Sequence, residues 1–285
     1  MWDETTAQKG SNEINSCLYK WFQENKSEGF RHLRIFSDNC VGQNKNLYVI
    51  LNCMRLVQMG QLDSVTLEFM VAGHSYLPCD GVFGNIEKKL QGKQKVNCPD
   101  EYMKIIRDVG PTVYEMKRED FFNFKGLKAL VTERKPKGFN FTDGRTFKIT
   151  QDNAWSYQVS SKGRDEIVSL LPNKPPIRTK GKSKSKSTSK SQPDLSQQEL
   201  ELAYHDCLRL DPSKLQHLNE LGYFLDEIGK EWLTRLNDTQ ESSQELPPNV
   251  DEETTEDPEL FQDQDLLVLT LNQALPDTSN TIVIL

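Results

Sequence analysis

The hydrophobic period of the chain changes twice between Leu33 and Val71, and this limits what the chain can fold into. "HLRIFS" is a short β-friendly run, Leu47, Ile50, Leu51, Met54 and Val57 then recur at helical spacing, and "VTLEFMV" alternates Val65, Leu67, Phe69 and Val71. A period of two, then 3.6, then two again reads as strand, helix, strand. A helix between two strands makes them a parallel pair with a right-handed crossover, so an α/β fold is expected. Helical stripes flank the unit: Ile14, Cys17, Leu18, Trp21 and Phe22 precede it, and Phe83, Ile86 and Leu90 follow within Asp80 to Leu90.

The polar loop inside this unit, "SDNCVGQNKN", is where chemistry is expected. A plain strand-to-helix connection accounts for Asn44 or Asn46 as a cap and for Gly42 in the turn. It leaves Asp38 over, and a buried strand would deliver that acid to the carboxyl end of the sheet, where α/β proteins place their sites. Farther on, Asp80 and Glu87 are two helical turns apart and share nearly one helix face. If they converge with Asp38, the carboxylates form a hard oxygen site for Mg²⁺ or Mn²⁺, suited to phosphodiester chemistry. Gln43, Asn44 and Lys45 at the helix start offer a phosphate cradle, and Lys88 and Lys89 offer contacts to a nucleic-acid backbone. Each has a structural alternative: Asp80 as a helix cap, Glu87 on a solvated face, and "GQNKN" as simple capping. A zinc site through His74 and Cys79 lacks the paired-ligand spacing.

The rest of the chain divides by composition. Six cysteines are scattered without a CxxC pair, which reads as reduced, intracellular thiols. No window approaches a membrane span, so no membrane partner is expected. Thr112 to Ser160 is β-rich, with Phe139 and Phe141 expected to face Phe147 and Ile149 across an Asp143-Gly144 hairpin turn, and "WSYQV" as a third strand. Pro172 to Gln192 carries seven Lys/Arg and no acid, and reads as a disordered spacer, a nuclear-import signal or a nucleic-acid contact. The following stretch reads as two amphipathic helices broken near Pro212, and Asn237 to Leu285 is an acidic, disordered tail with twelve Asp/Glu and no Lys/Arg. The expected divisions are a core over 1–110, a small antiparallel β extension over 111–171, a basic linker over 172–193, a helical segment over 194–236 and the tail over 237–285. Within the tail, "DQDLLVLTLN" and "NTIVIL" are apolar, and Leu266 to Leu271 could add as a strand to a sheet edge. That edge is either the core's own or that of a ubiquitin-like modifier, whose binding motifs this acid-flanked run resembles; the alternative is an incidental apolar stretch or a segment packed over the domain.

"FSDNCVGQNKN", "GHSYLPCDGVFGNIEKKL" and the opening "WDETTAQKGSNEINSCL" together resemble a transposon-derived family of animal proteins, itself similar to the DDE transposase and integrase superfamily. The resemblance covers roughly residues 1 to 170. It implies a ribonuclease H-like fold in which Asp38 is the second catalytic acid and Glu87 the third, with Asp80 in reserve, and Mg²⁺ or Mn²⁺ as cofactor. The superfamily's first acid lies on a strand that would precede Met1, so the resemblance also implies an N-terminally truncated copy with an incomplete core. The function so implied is ancestral strand transfer on DNA, with the present chain inactive or limited to nucleic-acid binding in the nucleus. A non-catalytic protein-interaction module is the alternative.

Overall fold

The structure, a computed structural model, describes residues 1–70, 78–161, 163–172, 194–241 and 280–284. It divides into two compact units. One comprises Leu18–Ser75, Asn123–Glu201 and Thr270–Leu285, and the other Met1–Cys17, Tyr76–Phe122 and Leu202–Leu269. Helix α1 (Ser11–Asn25) contributes residues to both, and its whole expected stripe, from Ile14 to Phe22, is buried.

The first unit contains the β-α-β element that the sequence period implies. β1 (His32–Ser37), α2 (Leu47–Gln58) and β2 (Ser64–Phe69) follow in order, and the strands pair in parallel with His32 opposite Ser64 and Ser37 opposite Phe69. Leu33, Ile35 and Ser37 are buried while Arg34 is exposed, as strand alternation requires. α2 starts at Asn46, whose side chain accepts from the Val49 N–H, and every residue from Val49 to Val57 is buried. At the opposite end of the strands from Ser37, Arg31 donates to both carboxylate oxygens of Asp63 and holds the two strand starts together.

Four further strands continue the same sheet. They are β3 (Val131–Arg134), β4 (Thr146–Thr150), β5 (Ser156–Ser161) and β6 (Arg164–Pro172), and β7 (Asn280–Ile284) joins at the far side. The order is β3-β6-β5-β4-β2-β1-β7. β7, β1 and β2 are mutually parallel, and β4 pairs antiparallel with β2 through Val65 opposite Ile149. The β-rich stretch continues the sheet of the β-α-β element: β4 completes the hydrogen bonding of β2 and extends its buried face. Phe147 lies at the centre of that face, with ring centroids 5.6 Å from Phe69, 4.8 Å from Phe141 and 6.0 Å from Tyr157. Burying one such ring stabilises the fold by about 1.5–3 kcal/mol.

No hairpin forms at Asp143-Gly144: Phe141–Asp143 is a single 3-10 turn, and Gly144 has an ordinary φ of −63° rather than the positive φ that such a turn demands. The turn sets the Phe141 ring on Phe147 instead of placing it in a strand opposite. The true hairpin joins β5 and β6, where Ser161 opposes Arg164 and Gly163 adopts φ 78°.

The second unit is helical. It contains α3 (Pro78–Gln91), α4 (Pro99–Val109), α5 (Pro212–Leu221) and α6 (Glu227–Glu241), with α3 against α4. Pro212 begins a helix instead of breaking one. Asp211 caps it by accepting from the Ser213 and Lys214 N–H groups, and Pro at the first helical position has no N–H to waste. The segment before it, 194–211, is not helical. A small core of Ala7, Cys17, Met116 and Phe121, with Trp2 and Tyr204 packed against it, anchors the N-terminal segment. Among the described residues no helix is long and apolar enough to cross a membrane.

Candidate functional site

The loop after β1 is held in one conformation by its own polar side chains. Asp38 is exposed, and its Oδ1 accepts from the Cys40 N–H at 3.0 Å and from Asn44 Nδ2 at 2.9 Å, which turns the chain off the strand. The Cys40 carbonyl then accepts from the N–H groups of Gln43, Asn44 and Lys45 at 3.3, 2.8 and 2.9 Å. Those three N–H groups therefore face a protein carbonyl and are not open to a phosphate. Burial raises the pKa of the Cys40 thiol, and the charge of Asp38 adds to the effect.

Lys45 points inward. It is only 4% exposed, and its Nζ donates to Asn39 Oδ1 at 3.0 Å and to the Thr142 carbonyl at 2.6 Å while lying 5.4 Å from the centroid of the Phe69 ring. Asn39 donates in turn to the Met70 carbonyl at the end of β2. Burial pulls the Lys45 pKa below its ordinary value; the charge of Asp143 opposes this and that of Arg145 adds to it. Two buried polar atoms beside this network, Ser37 Oγ and Asn44 Oδ1, have no hydrogen-bond partner.

The sequence-derived candidates fall into two groups. Asp38, Gln43, Asn44 and Lys45 share the loop, with Asp38 exposed, Gln43 half-buried, and Asn44 and Lys45 buried. Asp80, Glu87, Lys88 and Lys89 lie on α3 in the other unit, all exposed, and Gln91 Nε2 donates to Glu87 Oε1 at 3.5 Å. His74 and Leu266 to Leu271 lie outside the described residues, as does most of the basic linker. Sequence reading missed Asn39, Thr142, Asp143 and Arg145, which contact or act on Lys45. Asn39 was within reach as part of the motif, but nothing in the pattern ties the motif to residues a hundred positions later.

Among the described residues no three His, Cys, Asp or Glu side chains gather as metal ligands. At the loop, Asp38 has one oxygen engaged, and the Lys45 ammonium occupies the adjacent interior. This donor set does not fit a two-ion centre. What the loop presents to solvent is one oriented carboxylate with a half-buried amide, Gln43, nearby in the chain.

No curated protein matches the chain, and no solved structure matches it. The motif, the β-α-β element and all of β3 to β5 nevertheless fall within one family model, which matches residues 2–165, and the chain belongs to that family, described as Domain of unknown function (DUF7869).

Proposed function

We propose that this chain derives from a DDE transposase or integrase, that its sheet unit is a ribonuclease H-like core, and that in its present form it binds DNA without cutting it. The observation that carries the reading is Asp38: an exposed acid at the carboxyl end of a parallel strand pair, oriented by Asn44 and the Cys40 N–H. The resemblance assigns Glu87 to the same ancestral chemistry, with Asp80 in reserve. Mg²⁺ or Mn²⁺ belongs to that ancestral role, since the described donors do not fit a two-ion centre.

DNA contact is assigned to Lys88 and Lys89, which are exposed and follow one another on α3, and to Gln43. Lys45 is removed from that role by its burial. The basic stretch in 172–193 supplies further charge and supports a nuclear location. The test is DNA binding by fluorescence anisotropy, run beside a nicking assay with Mg²⁺ or Mn²⁺. Binding without nicking is the expected result. Nicking that Asp38→Asn abolishes would overturn the loss of catalysis, and absence of binding at low salt would overturn the DNA role.

A second reading, a non-catalytic protein-interaction module, has its own observation. Leu221, Tyr223, Phe224 and Ile228 are 54, 86, 66 and 61% exposed at the junction of α5 and α6. Clustered exposed apolar side chains commonly mark protein contacts. Pull-down or shift titration with a ubiquitin-like modifier, comparing the full chain with Tyr223→Ser/Phe224→Ser, separates this patch from the tail as the binding element.

A further inference from the structure

The two edges of the sheet are built differently. β3, at one edge, has four residues, includes Glu133 and Arg134, and runs into Lys135, paired with Glu133 at 3.0 Å, and Pro136. Shortness, charge and a following proline are the devices that keep an edge from pairing with another chain. β7, at the other edge, is five residues long and has neither the charge nor the proline. Its sequence is Asn-Thr-Ile-Val-Ile, without charge, glycine or proline and with four β-branched residues in five. β1 pairs with one side of it, from His32 opposite Asn280 to Phe36 opposite Ile284. Among the described residues no strand pairs with its other side. A strand's N–H and C=O groups alternate between its two sides, so the outer row of β7 is a template for a further strand.

We propose that the outer edge of β7 is a self-association surface whose occupant is β7 of a second copy of this chain, antiparallel across a twofold axis, so that the two sheets join into one. A twofold axis through Ile282 sets that residue against Ile282 of the second copy and Asn280 against Ile284 of the second copy. The strand carries no charge that would select a foreign acidic or basic peptide, and no like charges oppose one another when it meets itself. The acidic stretch from Asn237 to Leu285 sets the condition for association: twelve acids on each copy repel at low ionic strength, so added salt tightens the dimer. DNA binding has the opposite salt dependence.

The experiment is sedimentation of the full chain over a concentration series at low and high salt, with hydrogen exchange of the β1 amides as a check that β7 remains docked. The expected result is a concentration-dependent doubling of mass that strengthens with salt. Position 282 lies opposite Arg34 in the β1 register, and Ile282→Lys sets like charges together across the axis. It should raise the dissociation constant by at least about tenfold while β1 stays protected. Asn280→Lys/Ile284→Glu sets opposite charges together and should keep the dimer. A wild-type chain that stays monomeric, or a dimer indifferent to Ile282→Lys, overturns the proposal. If Ile282→Lys also exposes β1, the double variant decides: a dimer supports the assigned register and a monomer overturns it.

Discussion

Lys45 donates to the Thr142 carbonyl at 2.6 Å, so a buried ammonium ties the loop after β1 to a turn 97 residues farther along the chain. The same nitrogen donates to Asn39 Oδ1, and Asn39 reaches the end of β2. The loop that presents Asp38 is therefore fixed from beneath by a side chain whose residue type would suggest a surface contact.

Replacing Lys45 by Met keeps an apolar stem beside Phe69 but leaves Asn39 Oδ1 and the Thr142 carbonyl without their donor. The cost should be about 1–3 kcal/mol, read as a lower urea midpoint with an unchanged slope. DNA affinity measured at a concentration where the variant is folded should not change.

Lys88→Ala/Lys89→Ala should behave in the opposite way. Both residues are exposed, so the urea midpoint should move little. If both contact phosphates, affinity should fall for every sequence tested, and the slope of log K against log salt should decrease by about two. An unchanged slope would remove α3 from the DNA surface.

Gly144 is required for space rather than for backbone freedom. A Cβ there would lie 2.6 Å from the Phe147 ring and 2.7 Å from Val159 Cγ1, both buried. Gly144→Ala should cost about 1–3 kcal/mol through overpacking, measured by thermal or urea unfolding. A neutral result would mean that the turn shifts freely and that Phe147 is not held by Phe141.

Acid stability should depend in part on Asp63. Its hydrogen bonds from Arg31 hold its carboxyl pKa below the ordinary 3.8. The unfolded chain then binds more protons than the folded one between the lowered pKa and 3.8, so this contribution is present above 3.8 and is lost as pH falls through the lowered value. Asp63→Asn should flatten the unfolding midpoint against pH below 3.8, with little change at neutral pH beyond a constant offset. The pair is solvent-exposed, so added salt should shrink the difference.

The local sequence determined the β-α-β element, the burial of the stripes in α1 and α2, and the placement of Asp38 at a strand end, because each follows from a hydrophobic period or from residues within about ten positions of one another. A cap from Asn44 or Asn46 was legible for the same reason, and Asn46 makes it, accepting from Val49 three residues on. What depended on distant partners was not legible. The Asp-Gly pair looks like a hairpin turn until Phe141 is seen to pack on Phe147 from a 3-10 turn, and nothing near Lys45 in the sequence shows that its ammonium donates to Asn39 and to the Thr142 carbonyl. Only the tertiary structure decided that β4 continues the parallel pair and that β7 closes the side of β1, since pairing between strands as far apart as His32 and Asn280 leaves no periodic trace in either one. The period of a segment records which of its faces is buried, and the packed chain alone selects what buries it.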